Sequence, residues 1–473
     1  MQRKIHVALV SIGLLLGTAG CTSFLTGDKL SSDPNLPSAA TAQQLFVAVQ
    51  SGQFAFQEGT VAMMMCEWVQ ACGAANGRFV QQAGQYVFDE TSNIGANAGD
   101  WLSVYDAGGL ADIRQVKAAT AASGDRVWLG IAKIWEAFTI GSASDMWGDV
   151  PYSEVTTSAT PALDNRFTLL AALQTLLSDA ITDLGSTGAG PGTADLIFNG
   201  DPASWIKVAH SLKARYFMHT AESLGTGAYT NAIAEALQGI SDASGAGDFA
   251  SFHTASTSER NMWAQFQTSS GFGTDLEAGK ALVDYMNARS DPRRAAYFCH
   301  NALGTYGGDD FNTTQPANVV SLFNCQPPRF ADEARIPYVS YAENQLILAE
   351  AYAATGDTAQ ARAHLNAELA TVPLPAVASG LTAAALRDTI MMEKYVAMFQ
   401  NIESISDYRR TCVPVLTPVA NNQGFVHVPG RLFYPQNERN VNTNIPDPST
   451  QVSTHGFRNA GDQHACGGND NSP

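Results

Sequence analysis

Apolar residues recur with helical spacing over most of the chain. Val127, Ile131, Ile134 and Phe138 lie three or four residues apart, so in a helix they share one face and can pack against a neighbour. Another such stretch begins with Asp201-Pro202, where Asp can cap the helix and Pro suits its first position. The pattern predicts a mainly α protein, with further helices over 204–221, 338–354, 359–369 and 383–402.

One predicted helix pair has the spacing of a tetratricopeptide repeat of about 34 residues. Small alanines let its helices approach closely, Gly356 ends the first helix and Pro373 ends the second. An Ala-rich helical hairpin of another kind is the alternative. Because a repeat unit needs neighbours to bury its faces, degenerate pairs are predicted near 42–56, 100–142, 166–184 and 202–222. The matching positions are Leu348, Ala349, Tyr352, Gly356, Ala361, Leu365 and Pro373.

Two segments lack this periodicity. Residues 241–336 and 411–473 are rich in small and polar residues and have few apolar runs. Stretches of this length are too long for simple connectors, so they are predicted to form a loop-rich subdomain. Residues 39–473 are interpreted as a single domain, with helical repeats over 39–240 and 337–410.

The first twenty residues have the pattern of an export signal. Two basic residues precede an apolar stretch over 5–16, and small residues directly precede Cys21. That stretch is too short to span a membrane. The small residues before the cysteine resemble the lipobox of bacterial lipoproteins, which predicts removal of residues 1–20, lipidation of Cys21 and a flexible tether over 21–38. An ordinary secretory signal is the alternative.

The chain has few charged residues, but acidic ones clearly outnumber basic ones. It has 473 residues, of which only 15% are charged, and its net charge is −17. Loss of the signal removes two basic residues and no acidic one, so the mature chain is more negative still. Such a surface repels phosphate backbones, which argues against nucleic acid as a partner. No stretch of the mature chain reaches about 18 apolar residues, so no spanning helix is predicted there.

The seven cysteines become an even set of six once Cys21 is assigned to lipid. Export would place the six in an oxidising compartment, where pairing is expected. None has the CxxC spacing of a structural zinc site. Closeness in sequence favours three bridges, Cys66 with Cys72, Cys299 with Cys325, and Cys412 with Cys466.

Six short motifs together resemble the SusD/RagB-type nutrient-binding lipoproteins. A helix followed by an Asp-x-Trp-Gly-x-x-Pro-Tyr turn is the most distinctive of them, and the others follow in the family's order over about residues 21–445. The segments that carry the resemblance are Asp145–Tyr152, Asp201–Arg215, Asp291–Arg293, Glu343–Gly356, Glu393–Arg410 and Tyr434–Asn444.

The resemblance implies a fold, a cellular location and a class of ligand. It implies about four tetratricopeptide-like units joined to an irregular, ligand-binding half, without a cofactor. It also implies lipid anchoring at the outer membrane, as a lid over a SusC-like TonB-dependent transporter. The implied ligand is an oligosaccharide or a related nutrient, held without catalysis. The alternative is a lipid-anchored helical scaffold that binds a protein or a peptide.

The Asp-Trp-Gly motif contains two carboxylates beside an aromatic ring, a combination also found in glycosidases. Glycoside hydrolysis needs two carboxyl groups opposed across the sugar, and two aspartates in one tight turn give no evidence of that. A structural role is therefore predicted for the motif, in which polar side chains bond local amides. Its residues are Asp145, Trp147, Gly148, Pro151 and Tyr152.

The polar, loop-rich parts of the chain hold the candidate ligand contacts. Sugars bind to flat aromatic faces and to amide, guanidinium or carboxylate groups. Trp263 and Trp68 are the first candidates, and Trp263 is expected to be partly exposed. Residues 307–312 offer oxygen ligands but lack EF-hand spacing, so no metal site is assigned. The tentative binding residues are Trp68, Asn76, Arg78, Tyr86, Asn261, Trp263, Phe272 and Tyr306.

Overall fold

The computed structural model describes most of the chain from residue 40 onward. The described residues are 40–75, 79–92, 98–106, 108–269, 273, 275–313, 315–417, 425, 427–462 and 466. The predicted signal, Cys21 and the tether lie outside this set, and they stay predictions.

Helices dominate the described chain, as the apolar periodicity predicted. The helices before residue 240 are α1 (Ala42–Glu58), α2 (Thr60–Trp68), α3 (Ala98–Tyr105), α4 (Leu110–Ser123), α5 (Arg126–Trp147), α6 (Arg166–Leu184), α7 (Pro202–Leu224) and α8 (Thr226–Ala236). The later helices are α9 (Met262–Thr268), α10 (Lys280–Ala288), α11 (Arg294–Tyr297), α12 (Tyr341–Ala354), α13 (Thr358–Leu369), α14 (Ala383–Ala397), α15 (Glu403–Thr411), α16 (Gln436–Val441) and α17 (Pro448–Ser453).

Local sequence sets several of the helix ends. The Asp201 carboxylate accepts the Ser204 backbone N–H at 2.9 Å and so caps α7, with Pro202 as the first helical residue. Asp357 caps α13 in the same way, through Gln360 N–H at 3.0 Å. The helix predicted over 383–402 is shorter than expected, because α14 ends at Ala397 and the chain turns at Gln400, which has a φ of 70°.

Consecutive helices stack in an array of pairs. Helix α5 packs against α4 and α6, α7 packs against α6 and α8, and α12 packs against α8 and α13. The predicted tetratricopeptide-like pair is α12 and α13, where Ala349 and Ala361 are fully buried in the same cluster. Gly356, which follows the C-cap Thr355 of α12, has a φ of 91°, a left-handed conformation that suits glycine. The predicted mainly α fold with tetratricopeptide-like repeats is confirmed.

Helix α6 is long and apolar enough to cross a membrane by length and composition. Its place in the array gives it another role, since it packs between α5 and α7. Arg166 at its first turn bonds Asp145, and Asp183 at its last turn pairs with Lys133 at 2.7 Å. A buried apolar face with ion pairs at both ends is typical of a core helix in a globular protein.

Short strands and turns make up much of residues 241–336. Strand β1 (Cys72–Ala74) pairs antiparallel with β3 (Leu276–Ala278), and β2 (Phe249–Ala250) pairs with β4 (Pro337–Val339). In the first ladder Gly73 lies opposite Glu277. The two strand pairs connect the irregular segment to the end of α2 and to the start of α12.

A cluster of aromatic side chains joins the irregular segment to the helices. Phe249 on β2 contacts Trp135 of α5, Trp205 of α7 and Tyr338 of β4, at ring-centroid distances of 5.0, 5.3 and 5.6 Å. All four rings are buried. Edge-to-face contacts of this kind add to the burial of apolar area, so the two halves share one core.

Candidate functional site

The six paired cysteines form the three bridges favoured by the sequence. Cys66 is joined to Cys72, Cys299 to Cys325, and Cys412 to Cys466. The first bridge closes the turn between α2 and β1. The third ties the C-terminal segment to the end of α15.

The Asp-Trp-Gly motif makes buried contacts within the core. Trp147 is fully buried, and its indole N–H donates to the Phe433 carbonyl at 3.0 Å. Gly148 follows with a φ of 86°, which a side chain would strain. The Asp145 carboxylate accepts from Arg166 at 2.9 Å. Burial alone would raise the pKa of Asp145, but His219, Arg166 and Arg409 hold it well below its usual range.

Asp145, His219 and Glu403 bring their ligand atoms within 4.8 Å of one another, as three metal ligands would. His219 Nε2 lies 2.6 Å from Glu403 and its Nδ1 lies 3.1 Å from Asp145. Burial alone would lower the pKa of His219, but the two carboxylates raise it to about 9. The imidazole is therefore protonated at neutral pH and forms ion pairs with both carboxylates. The group is an ion-pair network within the core.

Four of the tentative binding residues are buried. Trp68, Asn261 and Trp263 have 0% exposure and Tyr86 has 1%. The expectation that Trp263 is partly exposed is wrong, because its ring packs against Phe330 at 5.7 Å inside the core. A polar stretch of sequence does not prevent its few large aromatic residues from being buried, since their apolar area gains most from leaving water. These indoles offer no face to a sugar.

Of the other four tentative binding residues, only Tyr306 lies among the described residues. Asn76, Arg78 and Phe272 lie outside the described residues. Tyr306 is half-buried, with its ring 4.6 Å from the ring of His300 and 5.4 Å from the Arg294 guanidinium. Tyr306 keeps some exposed surface next to the segment over 307–312.

A pocket opens where the turn after α2 meets that segment and the start of α10. Its cavity volume is about 290 Å³. One aromatic ring and several polar side chains line it, together with the disulfide that closes the α2–β1 turn. The lining residues are Gln70, Cys72, Lys280, Ala281, Asp309, Asp310, Phe311, Asn312, Val415, Leu416 and Thr417. We call this cavity the Gln70–Phe311 pocket.

Local conformation places the side chains of the Gln70–Phe311 pocket. Gln70 has a φ of 54° in the turn after α2, and its amide donates to the Thr417 carbonyl at 2.7 Å. Phe311 lies against Gly84, where a β-carbon would come within 2.2 Å of the ring. Because Gly84 has no side chain, the Phe311 ring can pack against it.

The chemistry of the Gln70–Phe311 pocket suits a neutral ligand with hydroxyl groups. Phe311 offers an apolar ring, while Gln70, Asn312 and Asp310 offer amide and carboxylate groups. Of these residues the sequence had drawn attention only to the segment over 307–312, as a source of cation ligands. Phe311 was missed because a single phenylalanine in a loop carries no periodic signal.

Two other cavities differ from the Gln70–Phe311 pocket in the residues that line them. A groove of about 410 Å³ between α6 and α7 is walled mainly by apolar side chains, with Phe167, Leu170 and Phe217 among them. A cavity of about 370 Å³ lies beside α1, and its rim includes Phe252, which is 42% exposed. The first has too few polar groups to orient a polyhydroxyl ligand.

Known proteins resemble this chain in sequence and in fold. The family described as SusD-like, "Starch-binding associating with outer membrane", matches residues 34–435. A comparison with curated proteins gave no match.

Solved structures of similar fold cover nearly all of the described chain. A protein described as chitin-binding has 20% identity and a TM-score of 0.71, over 89% of this chain and 98% of its own. A chitin-binding SusD homologue from Flavobacterium johnsoniae has 16% identity and a TM-score of 0.71, over 90% of this chain and 99% of its own. A SusD-like protein from Bacteroides thetaiotaomicron has 18% identity and a TM-score of 0.71, over 89% and 97%.

Proposed function

This chain belongs to the SusD-like family, and from that membership we propose that it is a receptor that binds an oligosaccharide without cleaving it. Binding without catalysis is proposed because SusD-like proteins are binding proteins. The chitin-binding descriptions of two proteins of the same fold support a glycan as the ligand.

The observation that carries the proposal is the composition of the Gln70–Phe311 pocket. An aromatic ring beside amide and carboxylate groups can contact the C–H face of a sugar and hydrogen-bond its hydroxyls. Asp309 and Asp310 in the lining, together with a net charge of −17, favour a neutral glycan over a strongly anionic one.

The location and partner form the second part of the proposal. The export signal and Cys21 support a lipid anchor, and the family description supports the outer membrane. We propose that the receptor delivers its ligand to a SusC-like TonB-dependent transporter in that membrane, as the family resemblance implies.

The direct test is calorimetric titration of the mature protein with starch-derived, chitin-derived and uronic-acid oligosaccharides. At least one neutral series should bind and the uronic acids should not. Phe311→Ala should weaken binding roughly tenfold, since a lost aromatic contact is worth about 1 kcal/mol or slightly more. Phe252→Ala is the matched control, because it removes an exposed ring from another cavity.

Circular dichroism of both variants separates a lost contact from a lost fold. Equal affinity of Phe311→Ala and wild type would place the ligand elsewhere. No binding across the panel, together with tight binding of a peptide, would favour the helical scaffold instead.

A further inference from the structure

A loop over residues 252–260 joins β2 to α9 and forms one wall of the cavity beside α1. Its residues 255–259 are exposed. Ser251 and Asn261, on either side of the loop, are fully buried, and each donates its backbone N–H to a carbonyl of another segment, at 3.0 and 2.8 Å. The loop is therefore fixed at both ends and exposed at its centre. We call it the His253 loop.

His253 connects this loop to helix α1. Its side chain is only 5% exposed. The ring Nε2 lies 2.9 Å from Oε2 of Glu58, the last residue of α1, which has 0% exposure. The ring Nδ1 lies 3.1 Å from the backbone carbonyl of Glu259, near the other end of the loop. A single imidazole thus joins the start and the end of the His253 loop to α1.

Both ring nitrogens of His253 face hydrogen-bond acceptors. A backbone carbonyl can only accept, so Nδ1 carries a hydrogen. The Glu58 carboxylate also accepts from the Tyr338 hydroxyl at 2.7 Å, and such a bond favours its ionised form. An ionised carboxylate only accepts, so Nε2 carries a hydrogen as well. This geometry is that of an imidazolium, which supplies the counter-charge for the buried Glu58.

The ionisable groups around the ring come from α1, from the loop itself and from β4 with the residues before it. Burial lowers the pKa of His253, but the hydrogen bond and the charge of Glu58 raise it above its usual value. Arg335 opposes this increase in the pKa and does not cancel it. The groups are Glu58, Glu259, Arg260, Arg335 and Tyr338.

We propose that the His253 loop is a pH-sensitive latch, which the protonated imidazole holds against α1 and which opens when the proton is lost. A neutral imidazole has one N–H, so it cannot donate to Glu58 and to the Glu259 carbonyl at the same time. Its loss of charge also leaves the Glu58 carboxylate buried without a counter-charge, which is unfavourable unless water reaches it. Because His253 lines the cavity beside α1, its release admits water there.

The direction of the effect follows from the direction of the pKa shift. In an open loop the imidazole is solvated and has a pKa of about 6.5, whereas its pKa in the closed loop is higher. Between these two values the closed loop holds a proton that the open loop lacks. The latch is therefore tightest below about pH 6.5 and loosens as the pH rises through the higher pKa. Each unit of difference makes the opening equilibrium roughly tenfold larger at alkaline pH.

Hydrogen–deuterium exchange of the mature full-length protein between about pH 6 and pH 9, corrected for intrinsic exchange rates, tests this latch. The backbone N–H groups of Glu259 and Arg260 both donate to the Ser256 carbonyl, so they report on the closed loop. Their protection should fall roughly tenfold or more across this range. In His253→Gln it should be weaker than in the wild type at the lower pH and should not vary with pH. His300→Gln, which replaces an exposed imidazole, is the matched control and should behave like the wild type.

Nuclear magnetic resonance of the histidine ring nitrogens gives a second readout that needs no change in folding. Both nitrogens of His253 should be protonated at about pH 6.5, with a titration midpoint above that value. Glu58→Gln removes the charge that holds the proton, so it should lower the midpoint.

Loop protection that does not vary with pH in the wild type would overturn the proposal. A dependence that persists unchanged in His253→Gln, or a ring midpoint of about 6.5 or lower in the wild type, would also overturn it. Circular dichroism of each variant checks that it is folded. These measurements contain no glycan, so their outcome is independent of the proposed receptor function.

Discussion

Several ionisable side chains in this protein are neutralised inside the core by specific partners. Arg166, Asp145, His219 and Glu403 form a continuous network across α5, α6, α7 and α15. The sequence predicts a structural role for Asp145. It could not predict the partners, because His219 and Glu403 are 184 residues apart and meet only through helix packing.

His219 should make stability fall as pH rises. Its pKa is about 9 in the folded protein, because Asp145 and Glu403 outweigh its burial, and about 6.5 in an unfolded chain. Between these pH values the folded state holds a proton that the unfolded state lacks. The stabilisation is complete below about pH 6.5 and is lost toward pH 9, by up to about 3 kcal/mol.

Urea denaturation of the wild type and His219→Gln at several pH values measures this effect. The variant should be less stable at pH 6.5, and the gap should narrow toward pH 9. A gap that stays constant over this range would show that His219 does not titrate there.

Where the sequence-based prediction of a single residue was wrong, the error concerned the solvent exposure of its side chain. Trp68 and Trp263 were candidate ligand contacts, yet both are fully buried. Local composition reports the average polarity of a segment and not the direction of one side chain. Phe311 was missed because its position depends on packing against Gly84, which lies more than two hundred residues earlier in the chain.

Secondary-structure elements were predicted best where their signals are local. The cap at Asp201 and the end of α12 shortly before Gly356 follow from neighbouring residues. The end of α14 was misplaced, because apolar residues continue past Ala397 and are buried in a turn that leads into α15. Apolar periodicity alone does not distinguish a buried turn from another helical turn.

Buried ion pairs lock α12, α14 and α15 together. Arg410 of α15 bonds both carboxylate oxygens of Glu350 on α12, at 2.6 and 2.8 Å. Asp407 accepts from Arg410 and from Lys394 of α14, each at 2.7 Å. Such bidentate pairs are geometrically specific, so they fix how these three helices meet.

Glu350→Ala should be strongly destabilising. Removal of one partner leaves the buried Arg410 charge without its bidentate acceptor, which costs about 3–5 kcal/mol. Asp388→Ala, an exposed position on α14, is the control and should change stability by less than about 0.5 kcal/mol. Urea denaturation measures both, and equal stability of the two variants would contradict a role for Glu350 in joining the helices.

The whole molecule combines a helical array with an irregular half on a shared core, with smaller separate apolar clusters around α12. Two of its bridges close short or moderate loops, and the third spans 54 residues from α15 to the C-terminal segment. Closeness in sequence predicted all three, which agrees with export into an oxidising compartment.

The proposed lipid anchor is tested by the location of the whole protein. Expressed with its signal in a bacterium that processes lipoproteins, the wild type should fractionate with the outer membrane. Cys21→Ser should be released into a soluble fraction, because no acyl chain can then insert into the bilayer. Thr26→Ala, in the same predicted tether, should stay with the membrane. Membrane retention of Cys21→Ser would contradict the anchor and favour another means of attachment.

The sequence by itself determined the family, the mainly helical class, the repeat pair over α12 and α13, and the cysteine pairing. These depend on spacing, capping and motifs, which are properties of neighbouring residues. The tertiary structure alone decided which side chains meet at the Gln70–Phe311 pocket. Gln70 lies in the turn after α2 and Phe311 lies in the irregular segment, and only tertiary packing brings the two side chains to one cavity.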